Sequence, residues 1–351
     1  MGIKSLSSFI RERYPNIAQN KSISHFKSIA IDLPSIIVTY KCALAHDWER
    51  LFHQFCSLLL KYNINAIFVA EGCSPIIKAK TKLERKKQRQ NDEDIVFNIE
   101  LSLDMYKNAS ILTPTLLYAQ NSAKKYSTRG KLVLSNGVMY KDDNTIEERE
   151  NDIDVDSIEK LIVERKKRQI FFIPNEEEIV KGIIEQYNFR YIQAPFEAET
   201  LCCDLFMNGD VEGIVSEDSD ILCYGGTMLS GVNTLNGLCK VMCGQSVREA
   251  MNYTHSQFID FCILCGTDYN SNIPGYSCKK VFGLMEKYKS FDEITKNIDT
   301  TVIDNYPIVY KLFSTREYKE EDAIASSIKE EDDNTNIPIN DKPIDCNESI
   351  L

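Results

Sequence analysis

Residues 28–32 read SIAID, residues 66–72 read AIFVAEG, and residues 212–220 read EGIVSEDSD. Each is a short apolar run that ends in one or more acids. Runs of this length without polar alternation fit strands buried on both faces of a parallel sheet. Helical patterns lie between them, over 48–61 and 76–90, and an amphipathic helix opens the chain with Leu6, Phe9 and Ile10 on one face. Strands alternating with helices predict an α/β fold with a largely parallel central sheet. Active sites of such sheets gather at the carboxyl ends of the strands. Asp32, Glu71, Asp218 and Asp220 all occupy that position.

Three further acids join this set. Glu197 and Glu199 lie in APFEAET (194–200) and follow Pro195, which suits a helix N-terminus. Positions i and i+2 of a helix diverge by about 200°, so these two converge only if the helix points its N-terminus at the site. Asp268 closes FCILCGTD (261–268) after Gly266, a candidate helix C-cap. Asp218 and Asp220, two apart, share a face if the chain is extended. Any one of these acids alone reads as a cap or a solvated loop residue. Seven at element ends read as a pocket for hard divalent cations, because so many carboxylates crowd together only when something neutralises them. Two Mg²⁺ ions, with Mn²⁺ as a substitute, could activate water and stabilise the leaving oxygen of a phosphodiester. The four histidines fall in no HExxH pattern and read as structural or surface residues.

The segment IIKAKTKLERKKQR (76–89) carries Lys78, Lys82, Arg85 and Arg89 on one helical stripe. A solvated charged face is the usual reading of such a run. Here the stripe starts just past Glu71, which places its base near the acids and suits a clamp on phosphates. A second basic run, RKKR at 165–168, lacks such placement and reads as a surface helix patch, with nuclear import as its other reading.

The formal net charge of −11 argues at first against a nucleic-acid partner. From Glu317 to Leu351, however, there are eleven acids and three bases, so most of the excess lies in this tail. The tail from 316 reads as acidic and disordered. Most of the twelve cysteines sit in apolar stretches and read as buried reduced thiols. Cys239 with Cys243 and Cys262 with Cys265 have zinc-like spacing, but the second pair falls within a core-helix pattern, against a zinc site. No apolar run reaches membrane length and no secretory leader is visible, so a soluble intracellular protein with no membrane partner is expected. The expected organisation is a folded body over 1–315 and the tail over 316–351. Within the body, 1–105 and 175–290 carry the motifs, 106–174 is a spacer with a hairpin turning at Asn136-Gly137, and 291–315 adds C-terminal helices.

The motifs together resemble the flap endonuclease/XPG family of structure-specific 5′ nucleases. MGIKSL (1–6) resembles the family's N-terminus, and SIAIDLPSII (28–37) its first-aspartate block. The stretch 51–90 is similar to the XPG branch. YIQAPFEAET (191–200), VSEDSDIL (215–222) and FIDFCILCGTDY (258–269) resemble the internal nuclease block. IPGYSCKKV (273–281) resembles the helix-turn-helix that grips duplex backbone, often through a bound K⁺. The resemblance implies a PIN-like fold with a helical arch and a helix-turn-helix. It implies that Asp32, Glu71, Glu197, Glu199, Asp218, Asp220 and Asp268 hold two Mg²⁺ ions. Lys78 and Arg85 would contact the scissile phosphate region. Gly2 would lie close to the site, and Lys82, Arg89, Gly275, Lys279 and Lys280 would touch DNA. Glu71 stands where most members have Asp, and Ser277 replaces the second Gly of the usual turn. The Asp32–Glu71 interval is shorter than in flap endonucleases and the Glu71–Glu197 interval longer, which points to an elaborated arch, while the compact layout and short acidic tail fit a divergent or viral member.

The expected activity is Mg²⁺-dependent cleavage of flapped or branched DNA in replication, repair or recombination, with 5′→3′ exonuclease action as a second mode. A monomer located in the nucleus, the host's for a viral member, is expected. No PCNA-binding peptide is visible in the tail. Two competitors stay open. A non-catalytic branched-DNA-binding protein would need a lost ligand, and none is lost. An aspartate-nucleophile phosphatase is suggested by Asp218-x-Asp220, but leaves Glu197 and Glu199 without a role.

Overall fold

The computed structural model describes residues 2–44, 47–130, 153–171, 174–303 and 305–316, with side chains left aside at 124–130, 168, 174 and 175. The hairpin over 131–141 and the acidic tail lie outside the described residues.

In chain order the elements are α1 (Leu6–Arg13), β1 (Gln19–Ser22), β2 (Ser28–Asp32), α2 (Leu33–Leu44), α3 (Trp48–Lys61), β3 (Asn65–Ala70), α4 (Ala79–Ala109), α5 (Pro114–Gly130), α6 (Val155–Arg168) and α7 (Pro174–Gln186). Then come β4 (Arg190–Gln193), α8 (Ala198–Met207), β5 (Gly213–Val215), α9 (Asp220–Cys223), β6 (Thr227–Ser230), β7 (Leu238–Cys243), α10 (Gly244–Ala250), α11 (His255–Cys265), α12 (Cys278–Tyr288), α13 (Phe291–Thr295) and α14 (Tyr306–Thr315). The strands form one sheet in the order β1-β7-β6-β5-β2-β3-β4. Strands β6, β5, β2, β3 and β4 run parallel, and β7 and β1 add an antiparallel edge. The fold is α/β with a mostly parallel sheet.

Side-chain alternation explains why the central strands are apolar throughout. Ala30, Ile67, Val69 and Ile214 face one core layer with α8, α11 and α12. Ile29, Ile31, Phe68 and Val215 face the other, packed by α2, α3 and α7. Both faces are covered, so strand β2 has no solvent side. The chain leaves β2 first toward β3 and β4 and only later returns to place β5 on the opposite flank. That reversal opens a crevice at the carboxyl ends of β2 and β5.

A third, separate core joins α4, α5 and α6 through Val96, Ile99, Leu103, Leu116, Ile158 and Leu161. Helix α4 is continuous for 31 residues, so it runs on past position 105 into the segment read as a spacer. The RKKR run is not a uniform surface patch. Arg165 is buried and donates to Asp92 Oδ1 at 2.7 Å, while Lys166 and Lys167 are exposed. The reason is helical periodicity, which turns Arg165 inward while its two neighbours face outward. Cysteines 262 and 265 are buried free thiols, and among the described residues no cysteine joins a metal-compatible cluster. No described helix is long and apolar enough to cross a membrane.

Candidate active site

All seven acids lie at the carboxyl edge of the sheet, and six are buried, with Glu71 half-buried. Asp32 ends β2. Its Oδ2 accepts the Ser216 hydroxyl at 2.6 Å and its Oδ1 the Ser35 amide at 3.3 Å. Ser216 Oγ also accepts the Asp218 amide at 2.9 Å, so one hydroxyl ties the β2 and β5 ends together.

Asp218 and Asp220 converge by a route that differs from the extended-chain expectation. Strand β5 stops at Val215, and Asp220 is the first residue of α9. The Asp220 amide donates to Asp218 Oδ1 at 3.0 Å, so a turn closed by the aspartate's own side chain brings them together. Glu197 is the N-cap of α8, and Glu199 lies in its first turn. The helix meets the site end-on. Glu71 Oε2 accepts the Ala198 amide at 3.1 Å, an orphan donor at that helix end.

Glu71, Glu197 and Glu199 each offer an oxygen within 4.8 Å of the others, a spacing that suits one cation. Gly72 makes this approach feasible. Its amide donates to the Phe196 carbonyl at 2.7 Å, and a Cβ there would overlap the Ala194 carbonyl. Asp268 follows the Gly266 C-cap of α11 at φ +87°.

Two cations reach the acids. Lys78 is buried at the cap of α4, after a single 3₁₀ turn, and does not sit within the α-helix as the stripe reading had it. It pairs with Glu197 and lies 3.8 Å from Glu199 and 3.6 Å from Asp268. Arg85, two turns further on, pairs with the other oxygen of Asp268. Lys82 is exposed, and Arg89 lies over the Phe171 ring at 4.9 Å. In the loop between α11 and α12, Gly275 has φ +78°, Lys280 donates to its carbonyl at 2.9 Å, and Lys279 is exposed.

The N-terminal segment crosses the crevice. A Cβ on Gly2 (φ +77°) would overlap Asp218 Oδ1 and come within 2.7 Å of Asp220 Oδ1. Lys4 anchors the segment through its amide to Gly266 O at 3.0 Å and its ammonium to Asn272 Oδ1 at 3.1 Å. Between this segment and α4 lies a cavity of about 500 Å³, lined by Gly2, Lys4, Thr81, Arg85, Asp268 and Asn270.

The electrostatics are those of an acid cluster short of positive charge. Burial pushes Asp32 up to about 6, opposed by the Ser216 hydrogen bond and reinforced by Asp218. Burial, with Glu197 beside it, pushes Glu71 up to about 8. Burial also raises Asp218 and carries Asp220 and Glu199 well above the carboxylate range. For Lys78, burial works against the charged form, but Glu199, Glu197 and Asp268 together hold the ammonium well above its ordinary value. Both Asp220 oxygens and Glu197 Oε1 are buried without a hydrogen-bond donor. Buried acceptors are rarely left so. The all-oxygen donor set, its orphaned oxygens and its excess charge fit hard divalent cations.

The sequence reading overlooked Ser35, Ser216 and Gly72. The one available signal was position, since each stands within three residues of a strand-end acid.

This arrangement defines a class: an α/β protein with a buried carboxylate cluster that could hold metal, roofed by a basic helix. The XPG I-region model matches residues 188–268, the span that holds Glu197, Glu199, Asp218, Asp220 and Asp268. The probable RAD2-like endonuclease 076L of Invertebrate iridescent virus 3 is 29% identical over 337 residues, covering 90% of this chain and 86% of the relative. Its counterpart 369L of Invertebrate iridescent virus 6 is 28% identical, covering 85% and 74%. The solved catalytic core of Rad2 in complex with DNA substrate superposes with a TM-score of 0.53 at 16% identity, over 91% of this chain and 87% of that one, which shows a shared fold. The chain is thus similar to the XPG/flap endonuclease family and is a nuclease that hydrolyses phosphodiester bonds.

Proposed function

We propose that the protein is a Mg²⁺-dependent, structure-specific DNA endonuclease acting on flapped or branched DNA. The observation that carries this reading is the convergence of seven carboxylates, with orphaned buried oxygens, beneath Lys78 and Arg85. Glu71, Glu197 and Glu199 would hold one ion; Asp218, Asp220 and Asp268 would hold a second, with Asp32 between the two groups. Bound there, two such ions supply an acidified water and charge neutralisation on the phosphate, the chemistry of paired-metal phosphodiester hydrolysis. The protein's own groups do the rest. Ser216 and Ser35 fix the Asp32 carboxylate, and Gly2 leaves room against Asp218. With the acids neutralised, Lys78 and Arg85 would be free to face the phosphate and would stabilise negative charge as it develops. The product would carry a 5′-phosphate and a 3′-hydroxyl. Lys279, Lys280 and the Gly275 turn, with or without a K⁺, would grip duplex backbone away from the cut. Lys82 and Arg89 would extend that grip along α4. A monomer working in the nucleus in DNA replication, repair or recombination completes the proposal.

The test is a panel of end-labelled flap, bubble, nicked and four-way DNA, plus a small phosphate ester, each with and without Mg²⁺. Cleavage near the junction of branched DNA, and only with metal, is expected. Binding without cleavage would favour the non-catalytic reading, and ester hydrolysis the phosphatase. In Ca²⁺ the DNA should bind but not turn over, since Ca²⁺ tolerates looser geometry.

Stability should report the same site. Asp32 near 6 and Glu71 near 8 are raised above their unfolded values. The folded state therefore holds more protons than the unfolded chain from about pH 4 upward, and unfolding free energy falls as pH rises through that window. In EDTA, Tm should drop by about 5 °C or more between pH 5.5 and 8.5, and Mg²⁺ should flatten the slope. A slope unchanged by Mg²⁺ would count against ions in this cluster.

Gly2→Ala should lower single-turnover cleavage on the order of tenfold, because the added methyl displaces a ligand by about 1 Å. An undiminished rate would show that the N-terminal segment moves aside in the working enzyme.

A further inference from the structure

Without metal, α4 is pinned to the site by Lys78 and Arg85, which pair with Glu197 and Asp268. Divalent ions on those acids would compete for the same oxygens. Something else must then keep the foot of α4 in register over the crevice.

Among the described residues, one other buried ion pair lies on this helix. Asp92, 1% exposed, lies two turns beyond Arg85, about 10 Å along the axis. Its Oδ1 accepts Arg165 Nη1 at 2.7 Å, from α6, and its Oδ2 accepts Gln88 Nε2 at 3.3 Å. Three residues below it, Arg89 packs over Phe171, whose carbonyl accepts Lys41 Nζ at 2.8 Å. Lys41 also pairs with Glu176 at 2.7 Å. A chain of contacts thus runs from the basic face of α4, through Phe171 just past the end of α6, to α2, the helix that directly follows Asp32 in β2. The apolar third core holds the three helices together but does not by itself choose a register, because sliding by one turn repeats the apolar face. A single buried ion pair does choose one, as a buried polar group does in helical bundles.

We propose that Asp92 and Arg165 are positioning residues for cleavage. They fix the register of α4 on α6 so that Lys78 and Arg85 stay over the scissile phosphate when metal has displaced them from the acids. The role rests on the nuclease reading above.

The test uses the full chain with the pair replaced by apolar residues of similar reach, Asp92→Leu with Arg165→Met. Exchange of a buried pair for apolar side chains often preserves stability, which separates register from folding. Expected are a Tm within about 5 °C of wild type, DNA affinity in Ca²⁺ within about threefold, and a Mg²⁺ single-turnover rate at saturating DNA lower by on the order of tenfold or more. Glu159→Gln, which breaks the exposed Lys107–Glu159 pair on the same two helices, should leave the rate unchanged. A double variant with the wild-type rate would overturn the positioning role. If that variant does not fold, Arg165→Lys decides. It keeps a charge but not the guanidinium geometry, and should lose about threefold or more in rate with unchanged affinity; a wild-type rate would again overturn the role. Wild-type protein that itself cleaves no DNA would overturn the proposed function instead, so the two failures are distinct.

Discussion

Asp218→Ala is expected to abolish cleavage, by on the order of 10³-fold or more, at the upper end for loss of one electrostatic group, while DNA binding survives. Asp218 is buried, accepts the Asp220 amide, and touches Gly2. Its removal takes a ligand from the β5 side and leaves Asp220 without the turn that aims it. Contacts to the phosphate backbone elsewhere are unaffected, and these set most of the affinity. The substitution carries an internal control against misfolding. Asp218 is one of the charges that raise Asp32 and Asp220. Deleting it relieves that repulsion, so the metal-free variant should melt no lower than wild type near pH 8. Cleavage within tenfold of wild type would sink the assignment of Asp218 as a ligand. Lost activity with a collapsed Tm would leave the residue only a structural part.

Lys78→Ala is expected to lower the single-turnover rate on the order of 10²-fold, as for deletion of one preorganised donor, with Arg85→Ala somewhat less severe because Arg85 is partly exposed. Lys78 is the one cation that approaches three of the acids in the described structure. Without metal its loss leaves Glu197, Glu199 and Asp268 facing one another, so the EDTA form should also lose stability. With Mg²⁺ that stability loss should vanish while the rate defect stays. This reversal separates a role at the phosphate from a role in neutralising the acids. Lys166→Ala is the control, since Lys166 is exposed and paired with Glu100. If all three variants bind more weakly but turn over normally at saturation, the basic helix belongs to general phosphate attraction and not to the reaction.

The acids were legible in the sequence because buried parallel strands admit no polar residue before their ends. Asp32 and Glu71 stand out for that reason alone. Glu197 and Glu199 were readable through Pro195 and the geometry of a helix seen end-on. What the pattern could not supply was chain crossing. Ser216 bridges Asp32 and Asp218 only because β5 lies beside β2, and Gly72 matters only because β3 and β4 end in contact. The Asp218–Asp220 turn escaped a period-two reading because a side chain, not a strand, sets its shape. Likewise, Lys78 and Arg85 were placed on one stripe, yet Lys78 acts from a 3₁₀ turn before the helix starts. The Asp92–Arg165 pair joins positions 73 residues apart, and only the bundle of α4 and α6 reveals it.

The most direct test of the central claim is the number of divalent ions the cluster holds. Mn²⁺ binding near pH 7.5, followed by electron paramagnetic resonance at increasing ion-to-protein ratio, should saturate at about two ions per chain with exchange-coupled signals. In Asp218→Ala one ion and the coupling should be lost. Weak binding without coupling, unchanged when Asp218 is removed, would contradict a paired-metal site built from these carboxylates.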